Sequence, residues 1–284
     1  MDENRLVVRM LVRSREDFQA MRKKNDNRLG MKADGTEQVN LTSRSFSPKH
    51  AEMFAEISDA ARAQEKAIEK KLLKVLREFP IYESWLKNVK GVGTISAGWI
   101  VGEFDIRVAD TVSKLWQFAG LNPGEVIGKK SVSLADAEKS GARIVKTFEN
   151  QGGEKCAIIV TDTLIRGDKL TPGFVAPFNK RLRVALCGVL ADSFIKQRAP
   201  YRTFYDDYKL RLENSEREVE ERTGGGKSKM VEWREAKKSH RHRAAIRYMI
   251  KAFLRDLYEN WREMEELPVR PPYQEEYLGH EHVA

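Results

Sequence analysis

Between residues 48 and 79, apolar side chains recur at every third or fourth position, which is the spacing of one face of an α-helix. The face comprises Met53, Ile57, Ala60, Ile68, Leu72, Val75 and Phe79. Ser47 followed by Pro48 is typical of a helix start, because serine caps free amides and proline fits the first turn. We therefore predict one long helix that ends at Pro80. Its single apolar stripe either forms a coiled-coil-like arm that contacts a second copy of the chain or packs back on its own domain.

The remaining patterns predict a mainly α chain with one β insertion. Helical spacing recurs in residues 1–30, in short helices within 81–120, and in 179–198, 201–213 and 231–266. Two apolar runs flank a Gln-Gly-Gly turn between residues 142 and 163, which predicts a β-hairpin. The glycine-containing segments 30–47 and 221–229 are predicted to be a linker and a flexible break.

This reading divides the chain into four parts. They are a basic N-terminal helix and linker (1–47), a helical arm and dimer contact (48–80), a helical domain (81–266) and a Pro-rich tail (267–284). The sequence has no run of eighteen apolar residues and no secretory signal, so we expect no membrane span and a cytoplasmic protein. The two cysteines, Cys156 and Cys187, are too few for a disulfide scaffold.

Charge is concentrated near the end of the chain. The 51 Lys and Arg residues exceed the 42 acids and give a net charge of +9. Residues 237–255 contain seven of these cations and no acid, which is typical of a surface that binds a polyanion. Arg247, Lys251 and Arg255 step by four along one helix face. A solvated amphipathic helix is the alternative explanation.

Several enzyme and metal motifs fail on their spacing. GGGKS at 224–228 resembles a P-loop, but Glu221 stands where the motif needs glycine. His240 and His242 are two apart and point in different directions on a helix. Asp162 ends a strand without the further acids that a two-metal nuclease requires. Ser131 has no assigned base. We therefore predict no catalytic residue, no bound metal and no cofactor.

The segment WLKNVKGVGTISAGWIVGEF at residues 85–104 has a helix-hairpin-helix pattern. Leu86 and Val89 would pack from a first helix, and Ala97 would pack from the second. The Gly91-Val92-Gly93 turn lets the backbone approach a phosphate, which the amides at the second helix start would bind. A structural helical hairpin is the alternative.

A second basic signal lies at a predicted helix start. Asn179 is a plausible cap, and Lys180, Arg181 and Arg183 follow in the first turn. Cations at a helix N-terminus are unfavourable for the helix itself, so a bound phosphate would explain them; a solvated basic turn is the alternative. The candidate nucleic-acid-binding residues are Lys90, Gly91, Gly93, Thr94, Lys129, Lys130, Asn179, Lys180, Arg181, Arg183, His240, Arg241, Arg243, Arg247, Lys251 and Arg255.

Residues 81–278 resemble the C-terminal half of the bridge-RNA-guided insertion-sequence transposases. The resemblance rests on WLKNVKGVGTISAGWIVGEF, LWQFAGLNP, PFNKRLRVAL and RAPYRTFYDDYKLRL, in that order. Segments 142–163 and 214–236 stand as insertions. Those transposases also carry an N-terminal RuvC-like domain with a DEDD acid set and a serine shortly after the Gly-Leu-x-Pro turn. Here the N-terminal region is too short for that domain, and the first serine after Pro123 is Ser131.

The same half is similar to the Nop domain of box C/D ribonucleoproteins, and the chain resembles the nuclease-lacking Tas proteins of tandem interspaced guide RNA systems of prokaryotes and their viruses. The resemblance implies a homodimer, joined through residues 48–80, that holds a guide RNA and binds guide-matched double-stranded DNA, with a separate nuclease as a further partner. Two other functions stay open. One is a transposase- or recombinase-derived protein that uses Ser131 or a partner nuclease, and the other is a plain helix-hairpin-helix DNA-binding protein.

Overall fold

The computed structural model describes residues 3–31, 45–223 and 228–271. Over these ranges the chain is mainly helical with small antiparallel sheets, which confirms the prediction of a mainly α chain with a β insertion. It divides into two compact units, residues 1–104 and 105–284. This division lies 24 residues beyond the predicted boundary at residue 80, since 104 − 80 = 24. The predicted linker at 30–47 and the tail beyond 271 lie largely outside the described residues.

The first unit consists of helices. They are α1 (Glu3–Leu29), α2 (Pro48–Leu76), α3 (Pro80–Ser84), a 3₁₀ turn (Leu86–Asn88) and α4 (Thr94–Glu103). The predicted Ser47 cap is present, because its hydroxyl accepts the amide N–H of His50.

Helices α1 and α2 pack antiparallel along their length. Asn4 is bonded to Glu78 near one end, and Arg22 is bonded to Glu65 further along. Of the predicted stripe on α2, Ile68 and Leu72 are buried inside this unit, whereas Met53 and Ile57 are exposed. The C-terminal half of the stripe therefore packs back on its own unit.

Helix α4 fits closely against this pair because two of its glycines lack side chains. A Cβ at Gly98 would lie 2.7 Å from a Val12 methyl group and 3.0 Å from one of Leu72. Gly102 lies against the backbone of Arg9, whose guanidinium donates to the Gly102 carbonyl. Gly98 and Gly102 thus serve helix packing, a role distinct from the turn that the sequence predicted at Gly91 and Gly93.

The second unit combines helices with two small sheets. Its elements are α5 (Val112–Phe118), β1 (Glu125–Ser133), α6 (Leu134–Ser140), β2 (Ile144–Glu149), β3 (Lys155–Arg166), α7 (Lys180–Val184), a π-helical segment (Ala185–Leu190), α8 (Ala191–Lys196), α9 (Arg202–Glu213), β4 (Glu218–Arg222), β5 (Ser228–Glu232) and α10 (Lys238–Met264). Helix α10 supplies much of the core through Ile250, Phe253, Leu254 and Leu257, which are fully buried.

The predicted hairpin at 142–163 is confirmed as β2 and β3, but it belongs to a larger sheet. Strand β1 pairs antiparallel with the other edge of β3, so the order is β1-β3-β2. The basic segment at Lys129 and Lys130 therefore lies on a strand. In β1 a register shift between Ile127 and Lys129 interrupts the alternation of side chains between the two faces of the sheet, so the sequence lacks a clear period-two pattern.

The last helix begins at Lys238 and not at 231, so that prediction was wrong at its start. Val231 pairs with Val219 in a β4–β5 hairpin, which occupies part of the segment that we took for a flexible break. The buried Glu221 accepts the amide N–H of Lys237 at 2.7 Å, immediately before the helix. A carboxylate at this position interacts favourably with the positive, N-terminal end of the helix dipole, and this interaction helps to fix where α10 begins.

Candidate nucleic-acid interface

Arg183 reaches the site from the short helix α7. The Asn179 side chain accepts the amide N–H of Leu182 at 3.0 Å, so it caps the helix as predicted. The Arg183 guanidinium lies 4.9 Å from the ring centre of Phe178 and donates to the main-chain carbonyl of Asp168. Gly120, with φ +71°, leaves room for this arrangement, because a Cβ there would approach the Phe178 ring to 2.7 Å. Arg183 is thus half-buried and held in place.

Arg247 and Lys251 present two further cations, one turn apart on α10. The Lys251 ammonium lies 4.9 Å from the ring centre of Trp116, whose indole N–H donates to the Lys251 carbonyl. Both side chains are half-buried. Within the three described ranges, neither side chain makes an ion pair, and Arg247 makes no side-chain hydrogen bond. These cations are partly removed from water, and no carboxylate of the described ranges bonds directly to either of them.

The electrostatic consequence is a set of destabilised charges. Burial lowers the pKa of Arg247, and the neighbouring positive charge of Arg183 lowers it further. Burial likewise lowers the pKa of Lys251, with Arg247 as the second cause. An anion that entered here would relieve both effects. We call Arg183, Arg247 and Lys251 the cationic cluster.

One acid, Asp168, acts on this cluster, but it is already engaged. Its charge opposes the lowered pKa of both Arg247 and Lys251. Its carboxylate, however, forms a two-pronged ion pair with Arg166, at 3.0 and 3.1 Å. The cluster therefore keeps an excess of positive charge.

The π-helical segment lies beside these cations. Such segments are rare and are often found at functional sites. Cys187 within it is electrostatically coupled to Arg183 and Arg247, yet burial raises its pKa to about 11. The thiol is therefore neutral near neutral pH and leaves the positive charge of the cluster undiminished.

Five of the other predicted residues in this unit are exposed and place cationic groups at the surface. Lys180 and Arg181 are exposed in the first turn of α7, and Arg243 is exposed on α10. Lys129 is exposed on β1, and the neighbouring Lys130 lies 4.8 Å from the ring centre of Phe174.

The other three are held by their surroundings. Arg241 is 8% exposed and donates to the carbonyls of Trp233, Arg234 and Ala236. We remove it from the candidate interface, since it holds the turn before α10. His240 packs on Trp233, and burial lowers its pKa. Arg255 is bonded to the adjacent Asp256, so the predicted stripe of three cations contributes two to the cluster.

The remaining predicted residues belong to the first unit. Gly91 has φ +97°, a conformation that favours glycine and forms the predicted tight turn. The exposed Gly93 precedes α4, which begins at Thr94; Lys90 is exposed nearby. A Cβ at Gly93 would meet nothing within 4 Å. The segment before the turn is a five-residue helix and a 3₁₀ turn, where the sequence predicted one helix.

The residues considered for catalysis do not come together. Ser131 is exposed on β1 opposite Ile158, and Asp162 is exposed on β3. In the described ranges, no three His, Cys, Asp or Glu side chains are grouped so that they could hold a metal ion. Among the described helices, none combines the length and the apolar character needed to cross a membrane.

Sequence reasoning missed the partners that build the cluster. Trp116 lies 135 residues before Lys251 and Asp168 lies 79 residues before Arg247, since 251 − 116 = 135 and 247 − 168 = 79. Phe178 is close in sequence to Arg183, but the sequence alone did not show their contact. Trp116 and Phe178 occur in two of the segments that carry the family resemblance, which is the one signal that pointed to them. Comparison of the chain with protein-family models, curated proteins and solved structures finds no match.

Proposed function

We propose that this chain is a guide-RNA-binding protein whose complex binds guide-matched double-stranded DNA, and that it carries no nuclease of its own. The observation that best supports nucleic-acid binding is the cationic cluster of Arg183, Arg247 and Lys251. Half-buried cations without a free counter-charge are unfavourable in an isolated protein, and a phosphate backbone supplies that charge. The guide and the DNA target rest on the sequence resemblance.

In this proposal the protein binds the nucleic-acid backbone and the guide RNA determines the target sequence. The cluster and the exposed Lys180 and Arg181 bind backbone phosphates, which carry no sequence information. Base pairing between guide and target supplies specificity. The Gly91–Gly93 turn contacts a second backbone segment through the amides that begin α4, in the manner of a helix-hairpin-helix.

The proposal also includes a homodimer. Ile68 and Leu72 are buried within the first unit and cannot form its contact without unfolding. Met53 and Ile57, which are 56% and 44% exposed at the other end of α2, are large apolar residues of the stripe that remain accessible to a second copy. We therefore assign the dimer contact to the N-terminal half of that helix.

The decisive experiment is purification of the full chain from cells that carry its native locus, followed by sequencing of the RNA that accompanies it. RNA of uniform length that is lost from the Arg247→Met, Lys251→Met variant supports the proposal. Purified complex should then bind a duplex matched by that RNA and no unmatched duplex. Nucleic-acid-free protein from the native host, with no affinity for added RNA, would contradict it.

A further inference from the structure

A continuous run of aromatic side chains leads from the core of the second unit to its surface. It begins at the fully buried Phe194, which stacks on Tyr201 with 5.2 Å between ring centres. The run continues through Phe204 and Tyr248 to Tyr208. Helices α9 and α10 supply these later members, so the run follows their interface.

The outer end of this run is a stacked pair of tyrosine rings with an arginine guanidinium at its side. The Tyr208 and Tyr248 rings lie 4.3 Å apart with an angle of 14° between their planes. The Arg211 guanidinium lies 4.6 Å from the Tyr208 ring centre and 5.8 Å from that of Tyr248. We call Tyr248, Tyr208 and Arg211 the stacking column.

Arg211 is the most exposed member of the column. Tyr248 and Tyr208 are half-buried, and Arg211 is exposed. Across the described ranges, the Arg211 guanidinium has no ion pair and no hydrogen bond, so the tyrosine rings alone hold it there. An exposed guanidinium that contacts aromatic rings and has no carboxylate partner in the described ranges offers a planar group on which a nucleobase can stack.

The column adjoins the cationic cluster. Tyr248 directly follows Arg247 on α10, and the Tyr208 phenol acts electrostatically on the Arg247 guanidinium. A nucleotide has the same two parts side by side, because it joins a flat base to a charged phosphate. The column offers a surface for the base, and the adjoining cluster offers cations for the phosphate.

We propose that the stacking column binds a nucleobase of an unpaired, single-stranded segment whose phosphates occupy the cationic cluster. In a duplex, both faces of each internal base are covered by neighbouring pairs, so only an unpaired or splayed base can use such a surface. This inference deepens the proposed function and rests on it. It identifies the ligand of the site as single-stranded nucleic acid, in contrast to a duplex backbone.

Arg211→Lys is the informative change, because it keeps the charge and removes the plane. Loss of one stacked base is worth at least about 1 kcal/mol, so binding of a single-stranded RNA should weaken about fivefold or more. The salt dependence should be unchanged, since the number of cations is the same. Arg217→Lys makes the same exchange at an exposed arginine without a ring partner and should have no effect.

The assay compares four ligands of one sequence: single-stranded RNA, single-stranded DNA, the RNA duplex, and the single-stranded RNA with abasic nucleotides throughout. We expect the fivefold loss with both intact single strands, because both present base faces, and no loss with the duplex or the abasic strand. An Arg211→Lys variant that binds the intact strands like the wild type would overturn the inference. So would an equal loss on the abasic strand. Failure of the wild type to bind any of the four ligands would instead overturn the proposed function.

Discussion

Removal of two members of the cationic cluster should weaken nucleic-acid binding and reduce the dependence of the affinity on salt concentration. The variant replaces Arg247 and Lys251 by methionine, which keeps an unbranched apolar stem and removes each charge. The fold should persist, because both cations are half-buried and lack an ion-paired acid in the described part of the chain. Their loss also relieves the like-charge pair at one-turn spacing.

The magnitude follows from the number of phosphates lost. Each phosphate contact contributes roughly 0.7 to the slope of log K against log salt on a single strand. Two contacts therefore lower the slope by about 1.4, which corresponds to a loss of about 25-fold in affinity near 0.1 M salt and almost none near 1 M. Sequence should not matter, since the contacts are to the backbone.

The assay is a binding titration with a labelled single-stranded RNA over a salt series, with circular dichroism and thermal melting as controls for folding. A matched control variant replaces Lys139 and Arg217, two exposed cations outside the candidate interface, by methionine. It changes the net charge equally and should leave the slope within about 0.3 of the wild type. A folded Arg247→Met, Lys251→Met variant with the wild-type slope would refute the assignment of phosphates to the cluster.

Three further predictions concern protonation, packing and the dimer. Burial and the charge of Arg247 lower the pKa of Lys251, so RNA affinity should fall as the pH rises from neutral toward the ordinary pKa of 10.5. Binding should also take up protons, which calorimetry measures. Lys251→Arg should abolish both effects, because arginine stays charged. The stability of the free protein should change with pH in the opposite direction. Between the lowered pKa of Lys251 and 10.5 the unfolded chain binds more protons than the folded chain, so the Lys251 contribution to the free energy of unfolding should rise with pH. Gly98→Val should destabilise the protein by about 1–3 kcal/mol in chemical denaturation, because its side chain meets Val12 and Leu72, whereas Gly188→Ala, where a Cβ meets nothing within 4 Å, should be neutral or stabilising. Met53→Glu with Ile57→Glu should yield a folded monomer by light scattering, and an unchanged dimer mass would exclude this surface as the contact.

The sequence was informative wherever a local rule decided the structure. The Ser47-Pro48 start of α2, the Asn179 cap and the Gly91 turn all follow from the chemistry of single residues and their immediate neighbours. The hairpin of β2 and β3 was equally visible, because its turn and its apolar runs are contiguous.

Features that depend on distant pairing were not visible. Strand β1 carries a register shift and pairs with residues about 30 positions away, and β5 is too short and charged to compete with a helical pattern. Arg241 stands between other cations in the sequence and looks equivalent to them, yet it is turned to loop carbonyls. Which cations of a basic helix face a site and which hold the fold is decided by the elements that pack around them.

We expect bound nucleic acid to occupy the cationic cluster and the stacking column beside it. Ultraviolet cross-linking of bound single-stranded RNA, followed by mass spectrometry of the cross-linked peptides, tests this most directly. Cross-links should form at Trp116, Phe178, Tyr208 or Tyr248, and they should be lost from the Arg247→Met, Lys251→Met variant. Cross-links confined to other parts of the chain, and unchanged in that variant, would contradict it.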